Sequence, residues 1–333
     1  MKTVIIAEAG VNHNGSISKA LKLVNYAAKA QADYIKFQTY VTEDLVQKKL
    51  QLANYQKENI KNVSSQFKLL KKYELTENDH KKIIKRCKLK KIKFLSSPFD
   101  LKSINFLKKL GLKTIKIPSG EITNIPYLKE IGRLKLRVIL STGMSNVNEI
   151  QKAIQILKNS GTKKRNLILL HCNTEYPANL EKLNLKSIPF LRKKFKISVG
   201  YSDHSEGITA SIAAVALGAS VIEKHFTLNK NLKGPDHKAS LSPKELITLV
   251  RQIRNLECMF GNNNKKPYKE ELKNIKYIRK YIVAKKAIIK GQFFDDNNLT
   301  TKRSGKGIPA ENWQKILGKK SKYNFLPDEN IEI

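Results

Sequence analysis

The first 260 residues alternate short apolar runs with longer amphipathic runs. The apolar runs predict buried strands of a parallel sheet, and the amphipathic runs predict helices that cover it. The strand candidates are Val4–Glu8, Tyr34–Gln38, Lys93–Ser96, Thr114–Ile117, Val138–Ser141, Leu167–His171, Ser198–Tyr201 and Ser220–Glu223. Eight such strands predict an α/β fold of the (β/α)8 TIM barrel type, which takes about 250 residues. A doubly wound open sheet is the alternative, although no GxGxxG motif follows the first strand candidate.

The composition changes after Met259, where GNNNKKPYKEELKNIKY is polar and charged. We interpret residues 261–278 as a linker between a barrel of residues 1–260 and a small unit of residues 279–333. Short apolar runs separated by turn signals predict that this unit is β-rich, with Trp313 in its core. The connection from Tyr40 to Leu75 is longer than one crossover needs, so part of it is expected to cross the barrel mouth.

The chain is strongly basic, with a formal charge of +36. Such a charge attracts polyanions, so nucleic-acid binding is the alternative class of function. The lysines recur on the polar faces of nearly all helical runs, which is typical of a solvated lysine-rich surface. We therefore predict no nucleic-acid partner, although a positive field helps to attract small anionic substrates.

Targeting and redox signals are weak. The apolar start of the chain stops at Glu8, and no apolar run reaches the roughly 18 residues of a membrane span. Cys87, Cys172 and Cys258 are widely scattered and form no CxxC pair, which argues against a disulfide framework and a cysteine zinc site. We predict a cytoplasmic protein with no membrane partner.

Polar side chains lie at nearly every carboxyl end of the strand candidates. In a barrel these ends share one face, where active sites form. The set comprises Glu8, Asn12, His13, Asn14, Lys36, Gln38, Ser96, Ser97, Lys116, Ser119, Glu121, Ser141, Thr142, His171, Thr174, Tyr176, Ser202, Asp203, His204, Glu223 and His225. Hydroxyls at strand ends also cap helices, so the lysines are more informative. Lys36 and Lys116 predict a phosphate or carboxylate site, unless they pair with Glu8 or Glu121 as plain ion pairs.

Two histidines end consecutive strand candidates within Gly200–Ser240. His204 and His225 lie at the same end of one strand–helix–strand unit, and neighbouring parallel strands are about 4.8 Å apart. Their imidazoles can therefore converge on a divalent metal, with ordinary polar rim residues as the alternative. The GPDH turn is expected to bring the Asp236 carboxylate and a third imidazole, His237, towards the same mouth.

Ten motifs in this order resemble the sialic acid synthase family across essentially the whole chain. They are IAEAGVNHNG at Ile6–Gly15, IKFQT at Ile35–Thr39, SSPFD at Ser96–Asp100, KIPSGEITN at Lys116–Asn124, LSTGM at Leu140–Met144, LLHCNTEYP at Leu169–Pro177, GYSDHS at Gly200–Ser205, EKHFT at Glu223–Thr227, GPDHKAS at Gly234–Ser240 and TTKR at Thr300–Arg303. The resemblance implies a (β/α)8 barrel followed by an antifreeze-like domain of the SAF, or β-clip, type.

The activity that this resemblance implies is the condensation of phosphoenolpyruvate with the open-chain aldehyde of an N-acetylated aminosugar. The products are a nine-carbon 2-keto acid and phosphate. The implied cofactor is a divalent metal held by His204 and His225, with Mn²⁺ preferred over Mg²⁺ or Co²⁺, and Glu8 is the implied proton-handling carboxylate. The implied substrate contacts are Lys36, Ser97, Lys116, Ser119, Thr174, Tyr176, Ser202, Asp236 and Arg303. Arg303 matches an arginine that one subunit inserts into its partner's site, which implies a domain-swapped homodimer.

Small departures from the family pattern accompany this resemblance. Ser97 stands where some members carry Thr, Thr174 where some carry Asn, and the segment after Arg303 reads Ser-Gly-Lys where Pro-Gly-Asn is common. The family contains synthases for several sugars. We expect an N-acetylneuraminate synthase that uses N-acetylmannosamine. The alternative is a legionaminate synthase that uses 2,4-diacetamido-2,4,6-trideoxymannose, and a pseudaminate synthase is a more distant third.

Overall fold

The computed structural model describes residues 2–52 and 64–333. The chain divides into two compact units, Met1–Phe260 and Gly261–Ile333. One sheet of eight strands belongs to the first unit, and a sheet of two strands belongs to the second. The first unit carries the residues that line the candidate site.

The strands of the first unit overlap all the strand candidates from the sequence. They are β1 (Val4–Gly10), β2 (Tyr34–Thr39), β3 (Lys93–Pro98), β4 (Thr114–Ile117), β5 (Arg137–Ser141), β6 (Leu167–Cys172), β7 (Ser198–Asp203) and β8 (Val221–His225). The helices of this unit are α1 (Ile17–Lys29), α2 (Thr42–Leu45), α3 (Gln66–Tyr73), α4 (Glu77–Leu89), α5 (Leu101–Lys109), α6 (Ile125–Arg133), α7 (Val147–Asn159), α8 (Ser187–Phe195), α9 (Thr209–Ala216) and α10 (Pro243–Met259). Most observed strands extend beyond the predicted ends and include the polar residues there, because neighbouring parallel strands are still hydrogen-bonded at those positions.

The eight strands are ordered β3-β2-β1-β8-β7-β6-β5-β4, and every paired neighbour is parallel. The two terminal strands of this order, β3 and β4, lie against each other and close the sheet. The predicted (β/α)8 barrel is therefore confirmed, and the open doubly wound sheet is wrong.

The helices begin where the sequence supplies capping side chains. Ser242 accepts a hydrogen bond from the Glu245 backbone N–H, and the Glu245 carboxylate accepts one from the Ser242 N–H, so α10 starts with a capping box. Asp100, the last residue of the SSPFD motif, caps α5 and also accepts from the Val41 N–H. Among the described residues, no helix is both long enough and apolar enough to cross a membrane.

The interior of the barrel is layered by the two-residue period of the strands. One layer is apolar and comprises Ile6, Leu95, Ile139, Leu170 and Val221. Two residues further along these strands, the inward side chains are Glu8, Ser97, Ser141, Cys172 and Glu223. Each strand therefore contributes one side chain to a packed floor and the next inward one to a polar layer at the barrel mouth.

The connection from β2 to α4 contributes to the mouth of the barrel. Its described parts contain α2 and α3, and the Tyr40 hydroxyl donates to the Leu70 carbonyl across the connection. Leu45, Leu50 and Leu70 line the same cavity as the strand ends. The expected excursion over the mouth is thus observed for the described parts, while residues 53–63 lie outside the described residues.

The second unit has a small apolar core beneath two antiparallel strands. Helix α11 (Lys269–Ile278) occupies part of the expected linker, followed by β9 (Tyr281–Ala284), β10 (Leu299–Lys302) and the short helix α12 (Trp313–Ile316). The core contains Ile282, Ala284, Ile288, Phe294, Leu299, Ile316, Phe325 and Ile331. Trp313 is half-buried at its edge and donates its indole N–H to Asp296. Arg303 directly follows β10 and is exposed.

Candidate active site

One cavity of about 350 Å³ opens at the carboxyl ends of the barrel strands. All predicted site residues except Arg303 line it, namely Glu8, Lys36, Ser97, Lys116, Ser119, Thr174, Tyr176, Ser202, His204, His225 and Asp236. Arg303 belongs to the second unit. The volume is within the range of small-molecule sites in proteins.

Two lysines and two carboxylates form a buried charge cluster at the base of the cavity. Lys36 Nζ lies 3.1 Å from Glu8 Oε2 and 3.1 Å from Glu223 Oε2. Lys116 Nζ donates to Glu223 Oε1 at 3.1 Å. Glu121 is not the partner of Lys116, because it accepts instead from Asn124. Both lysines are therefore paired, and the ion-pair alternative applies with Glu223 as the shared carboxylate.

The two carboxylates of the cluster differ in acidity. Burial raises the pKa of Glu8 to about 7, against the opposing effect of Lys36. Burial acts in the same direction on Glu223, but Lys116 and Lys36 outweigh it and hold the pKa of Glu223 well below its usual range. Near neutral pH, Glu223 is therefore a fixed anion, whereas Glu8 exchanges a proton readily.

Hydroxyl groups surround the ammonium groups of the cluster. Lys36 Nζ donates to Ser97 Oγ at 3.2 Å, and Ser202 Oγ donates to Glu223 Oε1 at 2.9 Å. Ser119 Oγ accepts from the Gly143 N–H at 3.0 Å. A Cβ at Gly143 would lie only 2.8 Å from Ser119 Oγ, so glycine is required for this close approach. A hydroxyl that accepts a hydrogen bond can also donate its own hydrogen, so these hydroxyls next to two ammonium groups form a pocket suited to an anion with several oxygens.

The imidazole of His204 is held in one orientation. Its Nδ1 lies 2.5 Å from the carbonyl oxygen of Asn173, which can only accept, so Nδ1 carries the proton. Its Nε2 lies 3.2 Å from the Tyr176 hydroxyl and 3.2 Å from Ser202 Oγ. Burial lowers the pKa of His204 to about 4, so the ring is neutral and its Nε2 lone pair is available at the cavity.

His225 faces His204 across the cavity, with ring centroids 5.5 Å apart. Burial holds the pKa of His225 well below its usual value, so this ring is neutral as well. Its Nδ1 is buried and has no hydrogen-bond partner within the described part of the chain. Asp236 Oδ2 lies 3.8 Å from that nitrogen, and burial raises the pKa of Asp236 to about 7.

These two neutral imidazoles fit the expected divalent metal. A buried imidazole nitrogen without a partner is a costly feature that coordination would satisfy. Within residues 2–52 and 64–333, no group of three or more His, Cys, Asp or Glu side chains is arranged to hold a metal. Two protein nitrogens would therefore leave the remaining coordination positions to water or substrate oxygens, as catalytic metal sites require.

Glycine at position 10 allows the site to close around Glu8 and His225. Residue 8 of β1 pairs with residue 225 of β8, and the register shifts between Glu8 and Gly10. Gly10 has a φ of 50°, and a Cβ there would lie 3.2 Å from Glu8 Oε1 and 3.3 Å from His225 Cε1. The irregularity in β1 thus brings a backbone against both functional side chains.

His237 does not enter the cavity, contrary to the expectation for the GPDH turn. Its Nδ1 lies 2.7 Å from Thr227 Oγ1 and its Nε2 lies 3.1 Å from Asn14 Oδ1, so both nitrogens are engaged in loop contacts. Asn12 similarly donates to the Phe226 carbonyl and to Ser240 Oγ. The side chains of the NHNG and GPDH segments therefore form hydrogen bonds that connect the loop after β1 to the loop after β8.

Sequence reasoning missed two kinds of site residue. Glu223 and Ser141 were expected at strand ends without an assigned contact, and Cys172 can be found only by counting two residues from Leu170 along β6. The others are loop side chains that line the mouth, namely Leu45, Val46, Leu50, Gln66, Leu70, Phe99 and Met144. The first five belong to the connection that was expected to cross the mouth, and the last two belong to the SSPFD and LSTGM motifs. No residue pattern marked the individual side chains as lining the site.

Comparison with known proteins agrees with this architecture. The NeuB family matches residues 23–265, and the SAF domain matches residues 279–332. The chain belongs to the NeuB family. The expected membership of the sialic acid synthase family is thereby confirmed, as is the order of a barrel and an antifreeze-like domain.

Full-length relatives make the comparison more specific. The N,N'-diacetyllegionaminic acid synthase of Campylobacter jejuni is 52% identical over 330 residues, which are 99% of each chain. The N,N'-diacetyllegionaminic acid synthase of Legionella pneumophila is 43% identical and matches 98% of this chain and 92% of its own. The crystal structure of the N-acetylneuraminic acid (sialic acid) synthetase of Leptospira borgpetersenii, in complex with citrate, is 37% identical. It covers 83% of this chain and 91% of its own, with a TM-score of 0.73.

Loss of either imidazole should weaken metal binding at this cavity. We expect His204→Ala to weaken Mn²⁺ binding by about tenfold or more, because the site has only two protein nitrogens to offer. Titration of free Mn²⁺ by electron paramagnetic resonance measures this directly. His171→Gln is the matched control, since His171 contacts the Leu183 carbonyl outside the cavity. Unchanged Mn²⁺ affinity in His204→Ala would show that the metal lies elsewhere.

Proposed function

We propose that this chain is an N,N'-diacetyllegionaminic acid synthase. It condenses phosphoenolpyruvate with 2,4-diacetamido-2,4,6-trideoxymannose and releases phosphate. The observation that carries this proposal is the 52% identity, over 99% of both chains, with a synthase of that name. It replaces the expectation of an N-acetylneuraminate synthase, because the sialic acid synthetase from Leptospira is only 37% identical.

Phosphoenolpyruvate suits the charge cluster and its hydroxyls. Its phosphate and carboxylate are planar or tetrahedral groups of oxygens that accept hydrogen bonds from ammonium and hydroxyl donors. Lys116, Ser119 and Ser97 would hold the phosphate. Lys36 would give up a contact with a protein carboxylate and pair with the carboxylate of the ligand instead.

Glu8 is the residue that we assign to proton transfer in the proposed reaction. Carbon 3 of phosphoenolpyruvate forms a bond to the aldehyde carbon of the sugar, and the aldehyde oxygen takes up a proton and becomes a hydroxyl. Water adds to carbon 2, and the bond between carbon 2 and the bridging phosphate oxygen then breaks, which leaves a ketone at carbon 2 and releases phosphate. The added water must lose a proton, and a carboxylate with a pKa of about 7 accepts one at neutral pH. A divalent ion bound at His204 and His225 would polarise the aldehyde oxygen.

Apolar side chains at the cavity mouth support a deoxy sugar. Leu45, Val46, Leu50, Leu70 and Phe99 line the mouth beside Tyr176 and Asp236. The legionaminate precursor has a methyl group at carbon 6 and a second acetamido methyl at carbon 4, where N-acetylmannosamine has hydroxyls. Apolar walls bind methyl groups and leave buried hydroxyls without partners, so this lining favours the diacetamido sugar.

The second unit is proposed to complete the site from a partner subunit. Arg303 is exposed at the end of β10, followed by Gly305 and Gly307, both with positive φ. A guanidinium presented on such a turn suits the hydroxyls or acetamido oxygen of a sugar held by another subunit. A homodimer in which each second unit serves the partner's cavity is the assembly that the family resemblance implies.

The sugar preference is the direct test of the proposed function. We expect phosphate release from phosphoenolpyruvate in the presence of Mn²⁺ to be at least about 100-fold more efficient, in kcat/KM, with the diacetamido sugar than with N-acetylmannosamine. Leu45→Asn and Val46→Thr should reduce this ratio, whereas Leu89→Asn, on an exposed surface of α4, should not. A preference for N-acetylmannosamine would contradict the proposal and indicate an N-acetylneuraminate synthase.

The pH dependence of the reaction should reflect the buried carboxylates. Glu8 and Asp236 both have a pKa of about 7, so kcat/KM should fall as the pH drops below 7 and both take up protons. Glu8→Gln should lose about 10²-fold to 10⁴-fold in kcat, because the proton acceptor is gone. Asp236→Asn is the comparison variant. Its kcat/KM should still fall at low pH, with the slope expected for the uptake of one proton, because Glu8 remains. If Glu8→Gln keeps wild-type turnover, another group handles the proton.

Arg303→Ala should change the KM for the sugar much more than the KM for phosphoenolpyruvate. We expect the KM for the sugar to rise about tenfold or more while the KM for phosphoenolpyruvate stays within about twofold, since the proposed contact is with the sugar alone. Lys306→Ala, in the same exposed turn, is the control. Equal changes in both KM values, or a monomer in sedimentation velocity, would contradict the partner-subunit role.

A further inference from the structure

An ion pair is buried between the barrel strands and the helices around them, next to the two histidines in the sequence. Strand alternation points Ser202 and Glu223 inward and turns Asp203 and Lys224 towards the surrounding helices. Both outward side chains are almost completely buried, with exposed fractions of 0% and 1%. Apolar side chains normally occupy this layer, as Ile222 does on β8. An ion pair there needs an explanation beyond packing.

The pair fixes the backbone of Ser205, the residue that follows His204. Asp203 Oδ1 accepts from the backbone N–H of Ser205 at 2.9 Å and from its hydroxyl at 2.7 Å. Lys224 Nζ donates to the carbonyl of the same Ser205. Ser205 is therefore held at both its N–H and its C=O. With Asp203 inside β7, the residue between them, His204, has anchored backbone on each side.

The same pair joins the two strands that carry the histidines. Lys224 Nζ lies 3.1 Å from Asp203 Oδ2, and these residues are register partners of β7 and β8. His204 follows one of them and His225 follows the other. The Ser211 hydroxyl donates to Asp203 Oδ2 at 2.6 Å, so α9 braces the carboxylate as well. The contact thus ties together the backbone positions from which both imidazoles project.

We infer that Asp203 and Lys224 are positioning residues that set the separation of His204 and His225. A site with two protein ligands tolerates little displacement, since binding geometry must be held to within about 0.5 Å. A buried ion pair contributes little net stability compared with apolar residues of similar size, so its main effect here is on geometry. This inference rests on the metal role in the proposed function and is independent of which sugar is used.

The test is a double variant that removes both charges together. Asp203→Asn with Lys224→Met keeps an acceptor for Ser205 and leaves no unpaired buried charge, so the barrel should fold. We expect the Kd for Mn²⁺, measured by electron paramagnetic resonance without substrates, to rise about tenfold to 100-fold. The KM for phosphoenolpyruvate should change by less than about twofold, because the proposed contacts of its phosphate and carboxylate, Lys36, Ser97, Lys116 and Ser119, lie on or directly after β2, β3 and β4.

A matched pair on the surface provides the control. Lys230 and Glu245 lie 2.8 Å apart and are both 38% exposed, and Lys230→Met with Glu245→Gln should leave the Kd for Mn²⁺ unchanged. Wild-type Mn²⁺ affinity in the double variant of Asp203 and Lys224 would overturn the inference, whatever its melting temperature. If that variant does not fold, Ser205→Ala removes one hydrogen bond at Asp203 and should raise the Kd about threefold or more; no change would equally overturn it.

A separate comparison distinguishes this inference from the proposed function. His204→Ala reports whether the cavity binds Mn²⁺ at all. Loss of binding there, with wild-type affinity in the Asp203 and Lys224 variant, would reject only the positioning role. Unchanged binding in His204→Ala would reject the metal site, and the inference with it.

Discussion

Two lysines and two carboxylates share the polar layer of the barrel interior, where little water reaches them. Isolated charges are costly to bury, and the contacts among Lys36, Lys116 and Glu223 offset that cost. Glu223 contacts both lysines whereas Glu8 pairs with Lys36, and this difference separates the pKa values of the two carboxylates. The contacts that compensate burial therefore also create a fixed anion and a group that exchanges protons.

The strand period connects this cluster to the rest of the molecule. Residue 221 of β8 packs in the apolar floor, residue 223 joins the charge cluster, residue 224 forms the outer ion pair, and residue 225 presents an imidazole. One register step would exchange the inner and outer side chains of the whole strand. Fold and site consequently depend on the same pairing of β8 with β1 and β7.

The sequence predicted the barrel well because strand and helix periods are local properties. All strand candidates correspond to observed strands, and Lys36, Lys116, His204, His225 and several strand-end hydroxyls converge as expected. Ser96, Thr142 and His171 were expected at the same face but do not line the cavity. The partner of Lys116 could not be predicted, since Glu223 lies on a strand that is not its neighbour in the sheet. His237 is the opposite case: its residue type suggested chemistry, but only three-dimensional contacts show that Thr227 and Asn14 engage both ring nitrogens.

In the proposed function, the reaction and sugar recognition draw on different parts of the chain. The strand ends supply the charges, hydroxyls and imidazoles, and they can move little without disturbing the barrel core. The mouth is lined by Leu45, Val46, Leu50 and Leu70 from the connection after β2, where substitutions cost the core little. A change of sugar can therefore arise in that connection while the condensation chemistry stays constant. Strand-end motifs accordingly identify the reaction and leave the sugar open, because most of the apolar side chains proposed to contact its methyl groups come from the connection after β2, which contains no motif that carries the resemblance.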